Sequence, residues 1–387
     1  MSFFRKEKEM NAEKLTEYLD SLNEKYNIPS VDCVVYKEHK EIYRHMSGTS
    51  DAARKVPVSP DQKYLMFSMT KVQTMTCIMK LVEEGKLSLE DEVGKYLPVY
   101  KNLKVLKDGK EEELTTPLLL KNLVSMQSGL DYNLQRPGIV RVLKEKGMAA
   151  TTREIVDSFV ESPLLFVPGT HFMYSLSHDV AAAVIEVASG MSFGEFLKKN
   201  IWEPLKMENT FFAKPVNDDV EGLAQQFICG PNGVEVMEQT CNYQLSDNYQ
   251  SGGAGLISCT MDYAKLADTL ANGGISAEGV RILKPETVEV FKKNLLCEAS
   301  RHDIAVSMGR KAYGYGVGMQ IFLNPEVVNS PAPIGIFGWD GAAGSAVMMD
   351  TASKTSLVFT MHVRNCGVAY DTIHPMLRDI VFGNKLA

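Results

Sequence analysis

The chain has 387 residues, 45% of them hydrophobic and 23% charged, with 41 Lys and Arg against 48 Asp and Glu for a formal net charge of -7. That mixture belongs to an ordinary folded globular protein and excludes a disordered, collagen-like or membrane-embedded composition. The charges are interspersed, and the one dense cluster, residues 5–9, mixes signs, so nucleic acid is not an expected partner.

The length allows two structural lobes. Seven cysteines are scattered without a C-x-x-C pair, which fits free thiols in a reducing compartment. Residues 1–15 are charged throughout, and no window approaches the ~18 apolar residues of a membrane span. The expectation is a cytoplasmic protein with no membrane partner. No feature assigns an oligomeric state.

In chain order, Asn11 is a plausible cap for an amphipathic helix that places Leu15, Tyr18, Leu19 and Leu22 at helical spacing. Two β-rich runs, 31–36 and 42–46, flank a charged turn and read as a hairpin. From about residue 65 to 296 the pattern is mainly helical, with periodic runs at 70–84, 117–126, 152–161, 177–189 and 262–271. Alternating, β-branched character returns at 316–322, 334–339, 345–350 and 356–363, before a final helical stretch at 371–382. Strands at both ends predict an α+β fold: one mostly antiparallel sheet built from both chain ends and flanked by the terminal helices, with a large helical lobe inserted. The lobes are 1–64 with 297–387, and 65–296, with the active site in the cleft between them.

The first stretch that carries chemistry is Phe67-Ser68-Met69-Thr70-Lys71, followed directly by a helical run. Ser68 and Lys71, three apart on a helix, share one face with Cβ atoms about 5–6 Å apart. A serine hydroxyl attacks poorly unless a base takes its proton, and a desolvated lysine is neutral enough to serve. The helix amino terminus adds N–H groups for a developing oxyanion. By itself S-x-x-K is common at helix starts, with Ser as cap and Lys in solvent. Two further stretches give it company: residues 168–177, containing Pro168-Gly169 and Tyr174-Ser175, and residues 338–345, Gly-Trp-Asp-Gly-Ala-Ala-Gly-Ser.

With these blocks, residues 81–89 and Ser251-Gly252-Gly253-Ala254-Gly255-Leu256, the chain from about 15 to 380 resembles the serine β-lactamase and penicillin-binding-protein superfamily. It is most similar to the class C-like branch that includes family VIII carboxylesterases. The resemblance implies a β-lactamase/transpeptidase-like fold and an acyl-enzyme mechanism without cofactor. Ser68 would be the nucleophile, Lys71 its hydrogen-bonded partner, and Tyr174 a relay base and later acid. The backbone N–H groups of Ser68 and Ala342 would form the oxyanion hole. Leu176, Trp339, Asp340 and Gly341 would line the substrate site.

Two departures from the superfamily pattern bear on substrate. Leu176 replaces the amide of the lactamase Tyr-x-Asn element, and Trp339-Asp340-Gly341 stands where lactamases have Lys-Thr-Gly. Both resemble family VIII esterases more than lactamases, and an Asp340 carboxylate facing the cleft would repel an anionic substrate. The sequence therefore implies a hydrolase for a small ester or amide. A β-lactamase or D-amino-acid peptidase or amidase with the same machinery is the alternative, and a non-catalytic binding or self-assembling protein the alternative of another class. His178 reads as a cap-region polar group beside Asp179, and Ser128-Gly129 as a helix stop. Gly252, Gly253 and Gly255 read either as a tight turn beside the site or as a simple loop. The histidines show no metal-ligand spacing.

Overall fold

A computed structural model describes residues 10–383, so the charged cluster at 5–9 and the first residues of the predicted 1–64 lobe lie outside the described residues. Helix α1 (Ala12–Tyr26) starts where the Asn11 side chain accepts from the Lys14 N–H at 2.9 Å, and stops at Asn27, whose φ is 57°. Its buried residues Leu15, Leu19 and Leu22 lie on one face. Strands β1 (Ser30–Lys37) and β2 (Lys40–Gly48) are joined by Glu38 and His39, with φ of 49° and 66°, the backbone of a tight hairpin turn.

Strand β3 (Lys63–Leu65) leads through a single 3-10 turn, Phe67–Met69, into helix α2 (Thr70–Glu83). The chain continues through the hairpin β4 (Lys104–Lys107) and β5 (Lys110–Glu113) to α3 (Leu120–Val124), α4 (Pro137–Lys146), α5 (Thr152–Asp157), α6 (Ser177–Ser189) and α7 (Phe193–Leu197). After these come β6 (Phe211–Phe212), β7 (Phe227–Gly230), β8 (Gly233–Val236), β9 (Leu256–Cys259), α8 (Thr260–Ala271), α9 (Pro285–Val290) and α10 (Glu298–Met308). The last segment holds β10 (Tyr313–Tyr315), β11 (Gln320–Phe322), β12 (Phe337–Asp340), β13 (Ala346–Asp350), β14 (Thr355–Thr360), β15 (Val363–Arg364) and α11 (His374–Phe382).

Seven strands form one sheet in the order β10-β11-β12-β13-β14-β1-β2, every neighbouring pair antiparallel. The two chain ends meet where β1 pairs with β14, Cys33 opposite Phe359 and Val34 opposite Val358. Side-chain alternation along these strands feeds two cores. Val34, Val347, Met349 and Val358 face a core shared with α2, α6 and α8. Cys33, Val35, Met348, Leu357 and Phe359 face a second core closed by α1 and by Leu377 and Ile380 of α11. The expected α+β arrangement, with terminal helices flanking a sheet built from both ends, is the one observed. Helix α2 is buried on nearly every side, Thr70 through Met79 without a break, which makes it the central post of the molecule.

Three local expectations differ. The run 117–126 is helical only over Leu120–Val124, because Pro117 precedes it and Met126 turns away with φ 57°. The run 316–322 is strand only over Gln320–Phe322; residues 316–319 are the reversal between β10 and β11, built on Gly318 with φ 69°, where a Cβ would lie 2.2 Å from Met75 Cγ. The stretch 65–296 read as mainly helical also contains the β4–β5 hairpin, β6 and β9 in one small sheet with β3, and β7 and β8 in another with β15. These strands run for only two to four residues, too short for alternation to register. Among the described residues no single helix is long and apolar enough to cross a membrane.

The register of β12 against β13 depends on Gly338, whose absent Cβ would fall 1.9 Å from the Val347 carbonyl oxygen. Gly338→Ala is expected to cost about 3 kcal/mol or more through overpacking. Gly190→Ala, left-handed at φ 72° and ψ 17° with nothing within 4 Å, should cost only about 1 kcal/mol. Urea unfolding of the two variants measures the difference, and equal losses would contradict the close approach of β12 to β13.

Candidate active site

Ser68 sits in the 3-10 turn between β3 and α2, behind Phe67, which holds a positive φ of 46°. A bulky residue adopts that backbone only under strong surrounding constraint. The constraint is visible: Tyr243 packs edge-on to the Phe67 ring at 6.0 Å, and the Arg364 guanidinium lies 4.8 Å from its centre. The Met69 carbonyl accepts from the Tyr263 hydroxyl at 2.6 Å, and Thr70 Oγ1 accepts from the Leu256 N–H at 3.1 Å. The Ser68 turn is thereby fixed to β9 and α8.

One helical turn further on, Lys71 is completely buried. Its Nζ lies 3.2 Å from Ser68 Oγ, 2.6 Å from the Gly253 carbonyl oxygen and 3.4 Å from the Tyr132 hydroxyl. The Tyr174 ring centre is 4.6 Å from Nζ. Burial pushes the Lys71 amine down to about 7, even though the charges of Asp179 and Asp340 act to raise it. An amine in this state can accept a proton from a hydroxyl at neutral pH, where an exposed lysine cannot.

Tyr174 lies in the loop just before α6, half-buried, and its phenol interacts with the Ser68 side chain. The Trp339 indole N–H donates to the Tyr174 oxygen at 3.0 Å, and the two rings lie 5.5 Å apart at 30°. Desolvation holds the phenol well above its ordinary value, while the contacts from Ser68 and Trp339 pull it down. Tyr174 therefore stands as a neutral proton donor and Lys71 as the group poised to accept. Tyr132 stacks on Tyr174 at 5.6 Å and 27°.

A chain of hydroxyls holds the two tyrosine loops together. Ser175 and Ser128 each lie 2.7 Å from Ser177 Oγ, and the Leu176 N–H donates to the Asp131 carbonyl at 3.1 Å. Ser128 thus joins the loop carrying Tyr132 to the start of α6, beyond its reading as a helix stop. The glycine run is the tight turn: a Cβ on Gly253 would sit 2.7 Å from Asp179 Oδ2 and 3.4 Å from Lys71 Nζ, and one on Gly252 would sit 2.3 Å from the His178 carbonyl oxygen.

The third stretch ends β12. A Cβ on Gly341 would lie 2.5 Å from the Met66 carbonyl oxygen, so glycine lets this turn press against the residues before Ser68 and brings Ala342 beside them. The turn is held from behind, with the Gly341 carbonyl accepting from the Tyr370 hydroxyl at 2.8 Å and His374 Nε2 lying 2.8 Å from the Gly344 carbonyl oxygen.

Two expectations about the substrate residues change in the structure. Asp340 is buried in an ion pair with Arg310, its carboxylate 3.9 Å from His374 Nδ1, so it does not present a bare negative charge to the cleft. Trp339 and Leu176 are only 1% and 2% exposed. Trp339 reaches Tyr174 rather than open solvent, and Leu176 packs into the core below it. His178 is buried against Val124 with Nε2 3.4 Å from its carbonyl oxygen.

The sequence did not single out Tyr132, Asp179 or Arg310 for these places. Asp179 is fully buried and accepts from Ser251 Oγ at 2.6 Å and the Tyr249 hydroxyl at 2.8 Å. It lies in the first turn of α6, where an aspartate is ordinarily solvated, and Arg310 is thirty residues from its partner. Among the described residues no group of three or more His, Cys, Asp and Glu is arranged to hold a metal ion.

The Beta-lactamase family model matches residues 15–368. The chain belongs to the beta-lactamase family. It is 24% identical to esterase EstB of Burkholderia gladioli over 96% of this chain and 95% of that protein. It is 27% identical to the lovastatin esterase of Penicillium rubens over 70% of each. The fold is shared with EstCE1, described as a hydrolase with promiscuous acyltransferase activity, at a TM-score of 0.79 and 23% identity, covering 96% of this chain and 98% of that one. This member of the beta-lactamase family is a serine hydrolase.

A lysine buried with its amine held near neutral destabilises the fold, because the unfolded chain binds a proton there that the folded chain releases. For this group stability is unaffected above its ordinary value of 10.5 and falls as pH drops toward about 7. Lys71→Met is therefore expected to stabilise the protein by about 1–3 kcal/mol at pH 7, after allowance for the lost amine contacts. The gain should shrink as pH rises toward 10. Urea unfolding at both pH values tests this, and a variant less stable than wild type at pH 7 would show that the amine is charged and paired.

Proposed function

We propose that this chain hydrolyses small neutral esters through a covalent acyl-enzyme on Ser68, with Lys71 as the base that activates it and Tyr174 as the acid that releases the alcohol. The observation that carries the reading is the buried Lys71 amine, near neutral and 3.2 Å from the Ser68 hydroxyl. As Ser68 Oγ bonds to the substrate carbonyl carbon, its proton passes to Lys71 Nζ. The oxygen of the tetrahedral intermediate is met by the N–H groups of Ser68 and Ala342. As the intermediate collapses, the bond to the leaving alcohol breaks and Tyr174 supplies its proton, and the phenolate left behind recovers a proton from the protonated Lys71 beside it. Water repeats the sequence in reverse and frees the acid.

The preference for neutral esters rests on what surrounds the serine. Trp339 stands where a lactamase lysine would meet a carboxylate, Arg310 is engaged by Asp340, and Leu176 offers no amide. The half-buried Tyr132, Tyr174 and Tyr243 give the site an aromatic wall suited to an apolar acyl or alcohol group. The relatives whose names describe esterases support the same choice over β-lactam or D-peptide turnover.

Ser68→Ala is expected to abolish turnover of p-nitrophenyl butyrate, and Tyr174→Phe to lower kcat roughly 10²–10⁴-fold. On one wild-type preparation kcat/KM for that ester should exceed the value for nitrocefin at least about tenfold, the size of one lost charge-assisted contact. Preference for nitrocefin would overturn the substrate assignment while leaving the acyl-enzyme intact. Undiminished ester hydrolysis by Ser68→Ala would overturn the mechanism itself.

A further inference from the structure

Away from the active site, two of the seven cysteines are neighbours. Strand β15 runs parallel to β7, with Val363 opposite Phe227 and Arg364 opposite Ile228. Continuing that register by one residue sets Asn365 opposite Cys229 and Cys366 just beyond it. Asn365 turns the chain with φ 54°, and the Cys366 side chain enters the same apolar cluster against which Cys229 packs. The Cys229 side chain lies close enough to act on the Cys366 thiol. Cys229 follows the last residue of β7 paired with β15 by one position and Cys366 that of β15 by two, which keeps both at the same end of the strand pair. Cys366 is 1% exposed, whereas Cys229 is partly open to solvent.

We propose that Cys229 and Cys366 form a reversible redox site, in which a low-molecular-weight disulfide such as oxidised glutathione converts the thiol pair to a disulfide that clamps β15 to β7. The difference in exposure sets the order of events. The Cys229 thiolate attacks one sulfur of the oxidant, forming a mixed disulfide and expelling one small thiol. Cys366 then gives up its proton and attacks Cys229 Sγ, expelling the second, so two protein thiols are oxidised as one small disulfide is reduced to two thiols. Burial pushes the Cys366 thiol up to about 12, which makes the second step the slow one. The clamp has a target, because β15 buttresses both walls of the active site. The Val363 N–H donates to the Ala343 carbonyl at 3.0 Å, beside Ala342, and Arg364 lies over Phe67, beside Ser68.

The test uses the full chain carrying Cys297→Ser. Cys297 is exposed, its thiol lowered by hydrogen bonds from Ser300, and it would compete for the oxidant, while serine is itself a good helix cap there. After incubation with oxidised glutathione and alkylation of the remaining thiols, intact mass should fall by about 2 Da before the alkylation increments, and one cross-linked peptide should join Cys229 to Cys366. The thermal midpoint should rise by about 5 °C and return on adding dithiothreitol, as expected for closing a long loop. Adding Cys366→Ser should remove both effects and leave a glutathione adduct on Cys229. A stable adduct on Cys229 with Cys366 still open to alkylation after unfolding, a bond to any other cysteine, or a lowered thermal midpoint would each overturn the proposal.

Discussion

The structure is organised around one constraint: an amine must be kept out of water three residues after a serine. Burying Lys71 on every side requires a helix, α2, with no exposed face over its first three turns, and so requires the sheet, α6 and α8 to enclose it. It also requires acceptors without a full countercharge in contact, and the Gly253 carbonyl supplies one at 2.6 Å. The nearest buried carboxylate, Asp179, is engaged by Ser251 and Tyr249, with the Gly253 backbone between it and the amine. Had that carboxylate closed on Lys71 directly, the amine would stay charged and lose its use as a base. A drop from 10.5 to about 7 corresponds to about 4 kcal/mol of lost folding stability at neutral pH. The two large cores must offset that, a familiar exchange of stability for function.

The same logic separates the roles of Lys71 and Tyr174. Both are desolvated, and desolvation disfavours the charged form of each, so the lysine becomes easier to leave neutral and the tyrosine harder to ionise. Under the proposed mechanism one environment thus yields a base and an acid at the same pH. Trp339 keeps the phenol oriented by donating to its oxygen, and Arg310 neutralises the Asp340 charge that would otherwise raise the Tyr174 phenol further. Read this way, the Trp-Asp-Gly stretch serves the catalytic groups more than it serves the substrate. Under the proposed mechanism Trp339, where the resemblance sets the lactamase lysine, holds Tyr174 instead.

Much of this was legible in the sequence where periodicity or spacing constrains side chains directly. Asn11, the β1–β2 hairpin and the alternation in β13 and β14 were readable, as was the shared face of Ser68 and Lys71, because helix and strand geometry dictate which residues are neighbours. Tyr174 was found through the Pro-Gly and Tyr-Ser pattern rather than through any local rule. The orientation of Trp339 was not legible, since a tryptophan before an Asp-Gly turn has equal reason to face solvent, substrate or core. Nor was the Asp340–Arg310 pair, whose partners come together only when β12 packs beside the loop after α10. Tyr132 and Asp179 were overlooked for a related reason: a loop tyrosine and a helix-start aspartate each have an ordinary surface explanation until the fold closes over them.

The central claim, that a neutral Lys71 rather than an ionised Tyr174 activates Ser68, is tested most directly by the rate at which a fluorophosphonate labels Ser68 between about pH 5 and pH 10. The rate should rise with pH to a plateau whose midpoint is about 7, and Asp340→Asn should move that midpoint lower, because the Asp340 charge helps hold the proton on Lys71. A rate that keeps climbing above about pH 9, where a phenol begins to ionise, would assign the base to Tyr174 and contradict the account.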